Sequence, residues 1–243
     1  MGLLIIVALV SALASAGQAA PEPPRALVLW AWERPEDLTR AAPGVEVAAV
    51  TGFIQIEGDQ IQARGRRFPL LTDAVRRTAV VHVQIDPKTP LKWTPALRAR
   101  LAATVLSYGR APGFSAMQID FEVPASQRQA LLDLVSDVRA ALPASEPLSM
   151  NALASWCETE DWLAAAKADE IVPMVFRLGE GGAKLKAKLE AGGDFANPRC
   201  RSAIGLSTDT PLKRWPGGRR IYVFNPRSWT TGEIARVTED IHP

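Results

Sequence analysis

A chain of 243 residues in which 47% of side chains are hydrophobic, 22% charged and 7% aromatic is too apolar for a disordered polymer and too often interrupted by charge for a polytopic membrane protein. Its 28 basic and 26 acidic residues leave a formal charge of +2 with no Lys/Arg block, which argues against nucleic acid as a partner. Two cysteines are too few for a disulfide-scaffold miniprotein or a zinc ribbon, so one sizeable globular domain remains.

Residues 1–19 read as a secretory signal peptide. An almost unbroken apolar run over 3–13 leads into the small residues around Ala16 and Ala19, where a signal peptidase would cut. No Lys or Arg precedes the run, and the alternative is an uncleaved N-terminal anchor. Residues 20–25 form a Pro-rich linker, and 26–243 form the domain. A periplasmic or secreted location follows, with membrane contact only through the N-terminal segment. In an oxidising compartment Cys157 and Cys200 either pair or stay as two buried thiols. Pairing would close about 43 residues and remove roughly 4 kcal/mol of unfolded-chain entropy. His82 and His242 are the only imidazoles, so neither a metal nor a cofactor is expected.

Eight strand-length apolar runs follow the linker, at 26–32, 45–52, 78–86, 114–122, 148–156, 170–178, 201–208 and 220–226. Helical patterns lie between them. The period near 3.6 is clearest over 124–142, where Leu131, Leu134, Val135, Val138 and Leu142 share a face. Over 94–110, Thr94 is placed to cap and Pro95 suits the first helical position. Weaker helices fit 36–42, 70–77, 160–167, 183–191 and 232–240, while 211–218 is too short and too rich in Pro and Gly. Residues 53–63 alternate around Gly58-Asp59 and read as a β-hairpin inserted after the second strand. Strands alternating with helices imply right-handed βαβ units and a parallel sheet, and eight units in one domain imply an α/β fold, a single compact (β/α)8 TIM barrel. An open doubly wound sheet is the alternative, but no glycine-rich phosphate loop follows the first strand.

Such a barrel carries its chemistry at the C-terminal ends of its strands. In the fourth strand Gln118, Asp120 and Glu122 alternate with Met117, Ile119 and Phe121; in the third, His82, Gln84 and Asp86 alternate with Val81, Val83 and Ile85. Polar groups facing a barrel interior are costly unless paired or wetted, so two such strands side by side point to a site. Asp120 and Glu122 lie two strand rises apart, about 6.6 Å between Cα atoms. Carboxyls that close push one pKa upward, which a general acid working near neutral pH requires. A solvated or salt-bridged pair is the structural alternative.

The segment Phe114-Ser115-Ala116-Met117-Gln118-Ile119-Asp120-Phe121-Glu122-Val123-Pro124 resembles the strand-four signature of the family 18 glycoside hydrolases, F-D-G-x-D-x-D-W-E-Y-P. It keeps the leading Phe, the last Asp, an aromatic, the Glu and the Pro. The resemblance implies Glu122 as general acid and Asp120 as its partner, which in that family orients the acetamido group of the substrate. Pro173-Met174-Val175-Phe176-Arg177 is similar to the family's sixth-strand M-x-Y-D. Ser115 and Gln118 replace the first two acidic positions of the signature, and Phe176 and Arg177 replace the Tyr and Asp that would hold the acetamido group. Along its length the chain also resembles an uncharacterised group of bacterial exported barrels with a Trp-rich first strand, here Leu29-Trp30-Ala31-Trp32, and an I-D-F-E-type fourth strand.

Further candidates stand at other strand ends. Trp30, Trp32, Trp156 and Trp229 would rim the mouth as stacking faces for sugars, with filling of gaps between loops and barrel as the alternative for each. Arg177 would bind an anionic sugar or neutralise Asp120 and Glu122. Asp86 is the best second carboxylate, and Asn225 completes the substrate-binding set with Gln118; Glu33 is also at a strand end. The resulting expectation is an exported, glycoside-hydrolase-like barrel acting on a polysaccharide or oligosaccharide. The alternatives are a carbohydrate-binding barrel without turnover and a structural envelope protein.

Overall fold

The computed structural model describes residues 26–159 and 161–241; the signal peptide and linker read in 1–25 lie outside them, as do Glu160, His242 and Pro243. Each barrel strand buries alternate side chains on opposite faces, one set into the barrel and one against the outer layer. The strands are β1 (Leu27–Ala31), β3 (Glu46–Glu57), β6 (Arg77–Ile85), β7 (Ala116–Phe121), β8 (Leu148–Leu153), β9 (Glu170–Met174), β10 (Ala203–Ser207) and β11 (Arg220–Phe224). Neighbours pair in parallel around the ring, and β1 bonds both β3 and β11, which closes it. Closure leaves the open-sheet alternative behind.

The helical layer is thinner than eight full units. The described α-helices are α1 (Pro95–Gly109), α2 (Arg128–Ala141), α3 (Trp156–Thr159), α4 (Gly182–Glu190) and α5 (Thr231–Ile241). Thr94 caps α1, its side chain accepting from the Leu97 N–H at 3.1 Å, with Pro95 in the first turn. The apolar stripe of α2 buries Leu131, Leu134, Val135 and Val138 against the barrel.

Two expected helices are absent. Residues 36–42 and 70–77 instead supply the short strands β2 (Glu36–Asp37) and β5 (Leu70–Leu71), which pair in parallel. The reason is side-chain chemistry rather than propensity. Glu36 is buried with its carboxylate accepting from the Trp229 N–H and from Arg34, and Leu38 is buried beside it; a helix would turn these groups in different directions. The weak helix over 160–167 is a 3-10 turn at Trp162–Ala165.

The hairpin is not a separate insertion. The far half of β3 itself turns at Gly58-Asp59 and returns as β4 (Gln60–Gly65), with Glu57 opposite Gln60. Gly58 takes φ +64°, which the tight two-residue turn needs. Within β3 the register on β6 slips between Val50 and Gly52, so Thr51 is the extra residue of a bulge. One extra residue inverts the alternation. Ala48 and Val50 face the barrel interior before it, and Phe53 does so after it.

The barrel interior is filled in layers. At its N-terminal end Glu46, Glu170, Arg220 and Tyr222 form a charged plug: Arg220 pairs with Glu46, and the Tyr222 hydroxyl donates to Glu170 Oε2 at 2.7 Å. Above it lie Val28, Val80, Val172, Ala203 and Trp30. Gly205 is required there, because a Cβ would stand 2.7 Å from the Trp30 ring. Cys157 and Cys200 are disulfide-bonded, tying the start of α3 to the segment before β10. Among the described residues no helix is long and apolar enough to cross a membrane.

Candidate active site

Gln118, Asp120 and Glu122 all turn into the ring at successive heights, and the three do different things. Gln118 is fully buried below the mouth. Its Oε1 accepts from the Trp30 indole N–H at 2.8 Å, and its Nε2 donates to Ser149 Oγ at 3.1 Å. A buried amide left unpaired costs about 1–3 kcal/mol, so these bonds account for a polar group in the packed core. The substrate-contacting place expected for Gln118 is therefore corrected: it lies beneath the floor, where it fixes Trp30.

One layer higher, both oxygens of Asp120 are engaged. His82 Nδ1 lies 2.7 Å from Oδ2, and Asn151 Nδ2 donates to Oδ1 at 2.9 Å. The register on which β6 and β7 pair sets His82 directly opposite Asp120. Asn151 comes from β8, and its own Oδ1, buried against the cavity, has no hydrogen-bond partner. Burial would lower the imidazole pKa, but the Asp120 hydrogen bond and charge, with Glu122 and Gln84 behind them, outweigh it and raise it above its ordinary value.

Glu122 stands at the rim, just past the end of β7. Its side chain reaches solvent, yet the crowded mouth thins the water around its carboxyl. That desolvation, reinforced by the Asp120 charge, raises its pKa; His82 and Arg177 act in the opposite direction without cancelling it. A carboxyl whose pKa is raised, beside a hydrogen-bonded Asp–His pair, can give a proton to a leaving oxygen.

These groups line a cavity of about 370 Å³. Trp30, Asp120, Asn151 and Met174 form its inner part, Trp32, His82, Phe176 and Phe224 its walls, and Arg34, Glu122 and Arg177 its rim. The aromatic walls brace one another: Trp32 meets His82, Phe53 and Phe224 edge to face at 5.4, 6.3 and 6.1 Å, and Phe176 stacks on Phe224 at 5.6 Å. Three depressions adjoin it and share its residues. One beside the hairpin shares His82, one holding Asp86 shares His82 and Glu122, and one of about 560 Å³ against α4 shares Phe176 and Arg177.

The remaining expected residues divide by place. Trp30, Trp32 and Arg177 line the central cavity. Asp86 lies in the adjoining depression, where its carboxylate caps a turn by accepting from the Lys88 N–H at 3.1 Å and Thr89 Oγ1 at 2.8 Å. Trp156, Trp229 and Asn225 are not at the mouth, and their expected places are corrected. Trp156 begins α3 and packs in the outer layer against Trp162, because β8 ends at Leu153 and strand alternation stops with it. Trp229 is buried with its indole donating to the Trp30 carbonyl at 2.9 Å. Asn225 is buried between Thr208, Ser228 and Glu233, holding the loop after β11 to α5. Glu33 pairs with Arg64 of the hairpin and accepts from the Arg67 N–H.

Sequence reasoning placed His82 on the inner face but assigned it no role. Asn151, Phe53, Phe224 and Arg34 are not among the candidates read from the sequence, and Phe176 enters there only as a replacement in the sixth-strand motif. A polar Asn151 between Met150 and Ala152 was a readable signal; Phe53 was hidden by the bulge. Among the described residues no three His, Cys, Asp or Glu side chains are grouped to hold a metal ion.

No protein-family model matches the chain, and no curated protein does. Among solved structures it is similar to the spore cortex-lytic enzyme SleL of Bacillus cereus, at 14% identity and a TM-score of 0.46 over 76% of this chain and 51% of that one. It is similar to the chitinase domain of the spore coat protein CotE from Clostridium difficile, at 13% identity and 0.47 over 81% and 68%. It is also similar to an endo-beta-N-acetylglucosaminidase from Cordyceps militaris, at 14% and 0.44 over 90% and 91%. The chain thus spans about half the length of SleL.

Proposed function

We propose that the barrel is a glycoside-hydrolase-like enzyme of an exported glycan-processing system, with Glu122 as general acid. The observation that carries the reading is the position of Glu122. It is a rim carboxyl with raised pKa, next to the His82–Asp120 pair, in a cavity walled by aromatic rings. Ring faces such as Trp32 and Phe224 suit the C–H surfaces of a sugar. In the reaction the glycosidic C–O bond breaks as Glu122 passes its proton to the leaving oxygen. Water supplies the hydroxyl that ends on the anomeric carbon, and its remaining proton restores Glu122. Asp120, held by His82 and Asn151, offers negative charge to the oxocarbenium-like centre.

The test is release of reducing ends from peptidoglycan, chitin and exopolysaccharide fragments by the wild type and by Glu122→Gln. Turnover by the first and not the second, with binding intact in both, supports the acid role. Turnover of any of these by Glu122→Gln at the wild-type rate rejects it.

A second reading, a carbohydrate-binding barrel without turnover, is favoured by one observation. Both Asp120 oxygens already have partners, so this carboxylate is not free to orient an acetamido group. Saccharide binding with no turnover by either protein would select it. Export is supported by the Cys157–Cys200 disulfide, which persists in oxidising compartments, together with the signal-like residues 1–19.

A further inference from the structure

Arg177 is the one non-glycine residue with a left-handed backbone among those described, at φ +51°. An L side chain pays free energy for that conformation, and glycine would not. It follows the end of β9, where the chain leaves the barrel wall for α4. Two neighbouring arginines are committed: Arg34 pairs with Glu36 and donates to the carbonyls of Asn225 and Pro226, and Arg64 pairs with Glu33. Arg177 makes no hydrogen bond or ion pair among the described residues. Its guanidinium lies over the Phe224 ring, 5.8 Å from the centroid, and it lines both the central cavity and the apolar one against α4.

A guanidinium exposed at the seam of two cavities, with its donors unused and its backbone strained, fits a receptor for an oxyanion. We infer that Arg177 recognises an acidic substituent and that the substrate is an acidic glycan, carrying a carboxylate or a sulfate beside the sugar held next to Glu122. This deepens the glycan reading and rests on it. It also gives the charge arrangement a purpose. The charge of Arg177 works against protonation of Glu122. An anion paired to Arg177 offsets that influence.

The test is binding, measured by calorimetry on the full chain with matched probes: oligouronides against their methyl esters, and sulfated against unsulfated oligosaccharides. The variants are Arg177→Gly, which removes the side chain and relaxes the backbone, and Arg177→Lys. We expect the wild type to bind one acidic series about tenfold or more tightly than its neutral counterpart. Arg177→Gly should erase that preference, so that acidic and neutral probes bind alike, and not lower Tm; Arg177→Lys, a point charge without the fork, should restore part of it. Which series wins identifies carboxylate or sulfate. Equal affinity of the wild type for acidic and neutral partners overturns the proposal and leaves the glycan reading standing. A preference that survives Arg177→Gly overturns it too and transfers the role to another cation, such as Arg67 of the hairpin-side depression. A fall in Tm with loss of neutral binding would make Arg177 structural. Failure of the wild type to bind any saccharide rejects the glycan reading itself.

Discussion

The imidazole Nδ1 of His82 lies 2.7 Å from Oδ2 of Asp120, joining the third and fourth strands of the barrel just below its mouth. The contact commits Asp120 to its neighbours, favours the imidazolium, and leaves Glu122 above it as the carboxyl exposed to a substrate.

The first prediction concerns that imidazole. Its folded pKa is raised above the unfolded value, so its contribution to stability is complete below about pH 6.5 and is lost as pH rises through the folded pKa. Glu122 works in the same direction at lower pH. A carboxyl with a raised folded pKa holds more protons folded than unfolded, so stability falls as pH rises from its ordinary value through its folded one. The contribution of these two groups to stability should therefore decline with rising pH, and Asp120→Asn should flatten the His82 part of the slope. NMR titration of the two histidines, with His242→Gln to assign them, checks the shift directly. A His82 pKa at or below 6.5 in the wild type would contradict it.

Activity should follow the protonated form of Glu122. The rate against pH should fall on its alkaline side at a pH above the ordinary carboxylate range, because burial and then Asp120 raise this group. Residual activity in Asp120→Asn should show that limb moved to lower pH. An unmoved limb would assign it to another group.

Loss of the Cys157–Cys200 bond is expected to destabilise the fold. The cross-link closes 43 residues of sequence, for which the chain-entropy picture gives about 4 kcal/mol and measured cases typically 2–4. Denaturant unfolding of the Cys157→Ser, Cys200→Ser double variant, against the oxidised wild type, measures it.

Gly205→Ala should cost about 1–3 kcal/mol, because its Cβ would press on the Trp30 ring at 2.7 Å and the packed interior has no room to absorb it. Displaced Trp30 would strain its bond to Gln118, so saccharide binding should weaken together with the midpoint of urea unfolding. Unchanged stability would mean that Trp30 can shift freely.

Local patterning carried much of this in one dimension. Eight apolar runs broken by helix caps and turn residues dictate parallel βαβ units, and two-residue alternation is enough to turn Gln118, Asp120 and Glu122 to one face, because strand geometry is a property of each residue and its neighbours. The Thr94-Pro95 start of α1 and the Gly58-Asp59 turn are local in the same sense. What depends on pairing between distant segments became visible only in the folded ring. The register that sets His82 against Asp120, the Thr51 bulge that turns Phe53 inward and the indole bond that draws Gln118 below the floor are agreements between strands, and no one strand encodes them. Trp156 and Trp229 moved away from the mouth for a related reason. Past the last ladder bond alternation ends, and the side chain goes where burial and a hydrogen-bond partner outside the strand are to be had.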